Sequence, residues 1–286
     1  MTNCIEIKGL CKSYGDFALK NIDLTLPGGS ILGLIGENGA GKTTAIKCIL
    51  NLVRRDAGEI TLLGYDNIRE EKLAKQDVGL VLDECFFHDS LRPLDVGRVL
   101  APAYKSWDQD LYRSYLDKFG LPEKKLIKEF SRGMKMKLSL SAALAHHPKL
   151  LILDEATAGL DPVVRDEILD EFLGFIQDED HAILMSSHIT SDLEKVADYI
   201  AYIHQGQVVL SDAKDNILDQ YGRVGCTAAQ LEAVDPGDLL RVRRGSFGCE
   251  ALVADRSAFS RKYPMLLVER TTLEDIMLFV GKGETK

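Results

Sequence analysis

Long apolar runs are missing from this sequence. No window approaches 18 consecutive apolar residues, so no segment reads as a helix that crosses a bilayer. The opening residues, Met1-Thr2-Asn3-Cys4-Ile5-Glu6-Ile7, alternate like a strand and lack the apolar core of a signal peptide. If the protein works at a membrane, another chain must cross it. A basic excess is missing too: the formal net charge of -9 argues against a dedicated nucleic-acid surface, and no nucleic-acid partner is expected. The six cysteines, Cys4, Cys11, Cys48, Cys85, Cys226 and Cys249, form no C-x-x-C pair, so neither a zinc site nor a disulfide framework is indicated. Scattered thiols of this kind behave as small buried hydrophobes and suit a reducing cytoplasm. Repeats and low-complexity tracts are absent. What remains is an ordinary globular composition, 45% hydrophobic and 28% charged with one Trp over 286 residues, enough for one large or two modest domains with a sizeable core.

Against that background one stretch stands out, Gly36-Glu37-Asn38-Gly39-Ala40-Gly41-Lys42-Thr43-Thr44. The apolar run Ile31-Leu32-Gly33-Leu34-Ile35 precedes it, and Ala45 to Leu50 follow as the apolar face of a helix. Strand, glycine-rich loop and helix make the context in which G-x-x-x-x-G-K-[ST] reads as a phosphate site rather than a turn that happens to be rich in glycine. Glycines let backbone N–H groups curl around oxyanions, and the helix start adds unpaired N–H groups and partial positive charge. Lys42 is expected to reach the β- and γ-phosphates of a nucleotide, with the Thr43 hydroxyl on Mg²⁺.

Residues 4–10 and 19–26 alternate and read as antiparallel strands, with the turn Lys12-Ser13-Tyr14-Gly15 between them. Residues 57–64 read as a turn and short strand, 66–76 as a polar helix, and Val78 to Leu82 as a buried strand stopping at Asp83-Glu84. From Leu91 to about His147 the pattern becomes helical, broken by Pro93, Pro102 and Pro122, as an inserted helical subdomain would be. Strand Leu150–Leu153 then ends in Asp154-Glu155. Asp161-Pro162 starts a helix over about 163–177, and strand Ala182–Ser186 ends in Ser187-His188. A helix near 190–197 and strands at 199–204 and 207–211 complete an α/β alternation whose ligand belongs at the strand ends. Residues 212–286 read as a helix near 213–221, mixed short segments and an amphipathic helix from Leu273 to Val280. A basic group there, Arg241, Arg243, Arg244, Arg256, Arg261 and Lys262, is either a solvated face or a contact for a partner or lipid headgroups.

Several positions carry two readings. Asp154 is placed to hold Mg²⁺ through water, with Glu155 orienting the attacking water; alone, an acid pair at a strand end is commonplace. Tyr14 is either a half-buried turn residue or an adenine-stacking face. Ser131 and Gly133, in Phe130-Ser131-Arg132-Gly133-Met134-Lys135, are either an ordinary helix start or an anion site. His188 is structural or a γ-phosphate contact. Asp83 is a strand cap or a third group at the metal and its water.

Taken in this order, residues 3–215 resemble the ATPase subunit of an ABC transporter. Walker A corresponds to Gly36–Thr44, and Walker B to Leu150–Asp154 with Glu155 after it. The signature loop corresponds to Ser131–Lys135, the D-loop to Ala158-Gly159-Leu160-Asp161, the switch histidine to His188, and the adenine-stacking aromatic to Tyr14. Two positions depart from the family pattern. Phe-Ser-Arg-Gly-Met replaces Leu-Ser-Gly-Gly-Gln, and Asp83 followed by Glu84 stands where Gln is usual. Ser-Arg-Gly-Met-Lys, Thr-Ala-Gly-Leu-Asp-Pro and the Thr-Leu-Glu-Asp-Ile-Met-Leu-Phe-Val tail look like the branch serving small bacterial exporters of multidrug and antibiotic-peptide type.

The resemblance implies an ABC ATPase fold: an antiparallel β subdomain, a mostly parallel RecA-like core sheet, and a helical subdomain at about 84–147. Residues 1–215 would form the ATPase domain and 216–286 an accessory region. It implies hydrolysis of ATP to ADP and phosphate with Mg²⁺, held by Thr43, Asp154 and Asp83, and catalysis by Lys42, Glu155 and His188. The nucleotide would contact Tyr14, the loop Gly36, Glu37, Asn38, Gly39, Ala40, Gly41, Lys42, Thr43 and Thr44, and, from a second ATPase subunit identical or not, Ser131, Gly133 and Asp161. The helical insert would meet a separate transmembrane permease subunit, with Phe86, Phe87 and Leu91 as exposed contacts, placing the chain in the cytoplasm on the inner face of the membrane. The alternative is an ABC-type ATPase that moves no solute and acts on DNA, ribosomes or cluster assembly. Against it stand a single cassette, no coiled-coil heptads and no zinc cysteines. A P-loop kinase has no use for the Ser131 loop or Ala158–Asp161.

Overall fold

The structure is a computed structural model that describes residues 2–245 and 248–282; residue 1 and residues 283–286, the extreme ends of the segments read above, lie outside the described residues. Strands β1 (Asn3–Tyr14) and β2 (Phe17–Pro27) pair antiparallel, as their alternation predicts. Next come β3 (Ser30–Ile35) and α1 (Lys42–Ile49), joined by the glycine loop, then β4 (Ala57–Leu62), β5 (Tyr65–Asp66), α2 (Glu71–Ala74) and β6 (Val78–Val81). The helix expected over 66–76 shortens to α2 and the 3-10 turn Lys75–Asp77 that continues it. Asp66 explains it: its carboxylate accepts from Ile68 N (2.9 Å) and Arg69 N (2.7 Å), a local turn that competes with helical hydrogen bonding.

The helical insert holds α3 (Pro93–Leu100), α4 (Gln109–Lys118) and α5 (Arg132–Leu144). Pro93 opens α3 at a position that needs no N–H donor, and Asp108 caps α4 by accepting from Asp110 N and Leu111 N. Val96, Tyr112, Leu116, Ile127 and Leu138 give the insert its own core, and Phe87 and Leu91 pack half-buried against it. Of the three apolar residues expected on its surface, only Phe86 is freely exposed, at 71%.

Then follow β7 (Leu150–Asp154), α6 (Pro162–Phe175), β8 (Ala182–Ser187), α7 (Thr190–Val196), β9 (Tyr199–His204) and β10 (Gln207–Ala213). Two sheets result, ordered β2-β1-β4-β5 and β10-β9-β3-β8-β7-β6. The second is parallel except for its edge strand β10. Its central strands β3, β7 and β8 are buried throughout and read as nearly continuous apolar runs because both faces are covered. Leu32, Leu34, Ile152 and Leu184 face the antiparallel sheet and α1. Ile31, Ile35, Leu153 and Met185 face α5, α6 and α7.

The last segment is more regular than its sequence suggests. It contains α8 (Lys214–Gln220), β11 (Gly222–Cys226), α9 (Ala228–Glu232), β12 (Arg241–Gly245), β13 (Gly248–Val253), α10 (Arg256–Lys262), β14 (Val268–Arg270) and α11 (Leu273–Lys282). The strands form an antiparallel sheet ordered β12-β13-β11-β14 over a small core of Val224, Val242, Ala251, Val253 and Phe259. Helix α11 buries Leu273, Ile276 and Phe279 with Ile200 and Tyr202 of β9. Two members of the basic group are locally neutralised: Arg243 meets Glu250 at 3.5 Å and Lys262 meets Asp238 at 2.6 Å, which favours the solvated-face reading. Among the described residues no helix is long and apolar enough to cross a membrane.

Candidate functional site

The glycine loop sits where β3 ends, and each fixed glycine has a steric reason. A Cβ on Gly36 would fall 2.4 Å from Ile203 O, so backbone packs on backbone there. Gly41 precedes α1 at φ 118 with no side-chain cap, and a Cβ would fall 2.6 Å from Leu19 Cδ2. The first-turn N–H groups of α1 are thus left facing the loop. Gly39, at φ 82, has open space around it and serves conformation alone. Asn38, Gly39 and Thr43 are exposed, Thr44 is half-buried and Ala40 is buried.

Lys42 is buried at 5% exposure and is held by three acceptors: Gly36 O at 2.7 Å, Glu37 O at 3.3 Å and Glu155 Oε1 at 3.3 Å. Glu155 in turn meets His188, with Oε2 at 2.6 Å from Nδ1. Lys42, Glu155 and His188 therefore form one connected group across the ends of β3, β7 and β8. The sequence did not reveal what holds Glu155. It lies at φ 53, a left-handed conformation that costs a non-glycine residue about 1 kcal/mol or more. Its N–H donates to Ser186 Oγ (3.1 Å), while the Ser186 hydroxyl donates to Asp154 Oδ1 (2.5 Å). Asp154 and Ser186 are directly opposite in the β7–β8 register, and that pairing is the only signal that singles out Ser186.

Asp154 is 3% exposed, with one carboxylate oxygen fixed by Ser186. Among the described residues no group of three or more His, Cys, Asp or Glu forms a complete metal cage. A carboxylate and a threonine hydroxyl, completed by phosphate oxygens and water, is the kind of donor set Mg²⁺ takes; Asp154 and Thr43 fit it. Asp83 follows β6, whose Val81 is level with Leu153 of β7, so it stands at the same sheet end. It lines a cavity of about 430 Å³ with Glu84, Arg132, Lys135 and Ser139.

Tyr14 is 47% exposed, with Lys12 Nζ 5.1 Å from its ring centre. It pairs across the hairpin with Phe17, and the Phe17 ring reaches within 2.9 Å of the Cβ position on Gly41. An exposed aromatic face thus stands beside the glycine loop.

Ser131, Gly133 and Asp161 form a separate group. Ser131 caps α5 by accepting from Met134 N (3.2 Å), and Asp161 caps α6 by accepting from Val164 N (3.1 Å). A Cβ on Gly133 would lie 3.3 Å from Val164 Cγ1, which keeps α5 close to α6. Arg132, the departure from the usual glycine, lays its guanidinium over Gly159, with Nη1 3.0 Å from that residue's Cβ position. Among the described residues no hydrogen bond or ion pair joins this group to the glycine loop.

A family model described as ABC transporter matches residues 19–158. The lantibiotic transport ATP-binding protein SrtF of Streptococcus pyogenes is 35% identical over 214 residues, which cover 74% of this chain and 91% of that protein. The bacitracin transport ATP-binding protein BcrA of Enterococcus faecalis is 34% identical over 73% of this chain and 69% of its own length. The linearmycin resistance ATP-binding protein LnrL of Bacillus subtilis (strain 168) is 34% identical over 79% and 74%. A solved structure titled as the ATP binding subunit of an ABC transporter superposes with a TM-score of 0.69 at 27% identity, over 75% of this chain and 91% of that one. The chain belongs to the ABC transporter ATP-binding family: it binds and hydrolyses ATP to power a membrane transporter.

Proposed function

We propose that this subunit drives export of antibiotic peptides or related drugs; SrtF is named for lantibiotic transport and BcrA for bacitracin transport. It works from the cytoplasmic face of the membrane, with residues 1–215 as the ATPase domain and 216–286 as an accessory region. The observation that carries the site assignment is the Lys42–Glu155–His188 group at the end of the glycine loop. Lys42 and the loop N–H groups bind the phosphates, and Tyr14 stacks on the adenine. Thr43 and Asp154 hold Mg²⁺, with Asp83 approaching from the end of β6. Held there, Mg²⁺ would supply positive charge that offsets the charge of the phosphates. Glu155 orients the attacking water, and His188, already 2.6 Å from Glu155, steadies that carboxylate and the transferring phosphoryl group.

The site is completed by a second ATPase subunit. Among the described residues, Ser131, Gly133 and Asp161 have no bond to the glycine loop of their own chain, and α5 presents its N-terminus with Ser131 at its cap, the form of an anion-binding wall. Two chains arranged head to tail place that wall over the partner's γ-phosphate. ATP then favours the closed pair and hydrolysis releases it. Glu155→Gln tests both halves: hydrolysis should fall at least about 100-fold while ATP still binds, and ATP should trap a dimer in size-exclusion chromatography. Unchanged turnover would remove Glu155 from its role, and a monomer with ATP bound would remove the paired site.

A further inference from the structure

The glycine loop is also touched from the far end of the chain. Helix α11 is pinned at its start by Leu273 N–H donating to Glu194 Oε1 (2.7 Å) and runs along β9, where the Tyr202 hydroxyl donates to Met277 O (3.4 Å). Its last turn then reaches the loop: a Cβ on Gly281 would lie 2.0 Å from Glu37 Oε1. The other carboxylate oxygen of Glu37 is 3.3 Å from Nδ1 of His204, the last residue of β9, a close approach outside hydrogen-bond geometry that leaves this buried nitrogen without a hydrogen-bond partner among the described residues. Tyr202 lies close enough to feel the same carboxylate. Burial first and Glu37 second push its phenol up to about 12, so it stays a neutral donor to α11.

Glu37 matters because of its main chain. Its carbonyl accepts from Lys42 Nζ at 3.3 Å and from Ala40 N at 3.1 Å. The loop is otherwise fixed by backbone: Gly206 N donates to Ala40 O (3.0 Å), and Gly36 lies flush on Ile203 O. The Glu37 side chain is the adjustable element, and it is shared between β9 and α11.

We propose that His204 and the last turn of α11 act through Glu37 as positioning elements for Lys42, so that the C-terminal segment sets the affinity of the loop for ATP. Neither touches phosphate. They fix the residue whose carbonyl aims the lysine, and charge-assisted bonds of this kind depend closely on aim. Thermodynamic reciprocity then requires ATP to alter the docking of α11 by the same factor. The inference rests on the glycine loop binding ATP, which Lys42→Ala tests separately.

The test uses the full chain. Gly281→Val puts bulk where the Glu37 carboxylate lies and should raise the Kd for ATP about three- to fivefold, the scale of a partly exposed ion pair. His204→Gln should do the same. In a Glu37→Ala background, which removes both the bulk and the charge, both effects should largely vanish, since residues acting through one group are not additive. A merely structural role would lower thermal stability without that coupling. Independently, hydrogen exchange over residues 273–281 of a Glu155→Gln chain should change when ATP is added. If Gly281→Val does not fold, the His204–Glu37 cycle and the exchange measurement decide. Additive effects on Kd, unaltered affinity in the single variants, or unchanged exchange would each overturn the proposal.

Discussion

Ser186→Ala is the most informative single change, because one hydroxyl holds both members of the acid pair. Ser186 is fully buried. Its hydroxyl donates to Asp154 Oδ1 at 2.5 Å and accepts from Glu155 N at 3.1 Å. The substitution leaves a buried carboxylate short of one donor, and Glu155 N–H keeps only the longer bond to Ser186 O at 3.2 Å. Losing a hydrogen bond to a buried charge costs about 1.5–3 kcal/mol, so denaturant unfolding should show a loss of about 2 kcal/mol with no change in slope. A second effect falls on turnover. Glu155 is kept at φ 53 by these bonds, and once one is gone the strained residue can relax away from Lys42 and His188. With the transmembrane partner present, kcat should drop about tenfold, equivalent to about 1.4 kcal/mol, while KM changes little, because Lys42 keeps its carbonyl partners Gly36 and Glu37. Ser187→Ala is the control: that hydroxyl accepts from Ile189 N (2.9 Å) and meets neither acid. A Ser186→Ala protein with wild-type kcat and a stability loss under about 0.5 kcal/mol would refute the reasoning.

Lys42→Ala removes the ammonium proposed to reach the phosphates and should weaken ATP binding at least about tenfold, the value of one or two charge-assisted bonds; isothermal titration at wild-type strength would contradict the loop assignment. Gly206→Ala should destabilise by about 3 kcal/mol or more in thermal or denaturant unfolding, because φ is +76 and the new Cβ would lie 1.8 Å from Ala18 O. His146 supplies a pH dependence. Burial lowers its pKa, it bonds Val78 O at 3.2 Å, and it stacks on Tyr104. The unfolded chain therefore takes up the proton near pH 6.5 while the folded one resists until lower pH, so stability present above about pH 6.5 is lost as pH falls. His146→Phe should flatten the decline in unfolding midpoint between pH 7 and pH 5, and an unchanged decline would assign it elsewhere.

Much of this fold was legible because its strands are buried on both faces. Ile31–Ile35, Leu150–Leu153 and Ala182–Ser186 are apolar runs too short for helices, and the Asp161-Pro162 cap marks a true helix start, whereas Pro93, read as a break in the helical pattern, opens a helix. The glycine loop was legible because its residue types answer local backbone demands. The C-terminal sheet was not: Arg241–Gly245 and Gly248–Val253 are short, and Arg243 faces Phe279 of α11 instead of water alone, so charge hides the alternation. Ser186 escaped because only inter-strand register distinguishes it from any other strand-end serine. Phe87 and Leu91 were misjudged as exposed because the insert carries a core of its own. Contacts between distant segments, such as Glu37 with Gly281 or Arg132 with Gly159, leave no periodic trace.

The glycine-loop group and the Ser131 group nevertheless share one piece of backbone. Glu155 O accepts from Ala158 N (3.1 Å), and Thr157 O accepts from Leu160 N (3.4 Å), so the acid that meets Lys42 also begins the turn that ends in the Asp161 cap. That turn lies beneath Arg132, and the helix it starts carries Val164, against which Gly133 packs. A displacement of the α5 N-terminus would therefore bear, through packed atoms, on a residue already strained at φ 53. Close-packed interiors change by steps rather than by continuous deformation. Replacement of the usual glycine by Arg132 adds contact at that joint, so in this chain the Ser131 loop and the acid pair should move as a more tightly coupled unit than the family pattern alone would give.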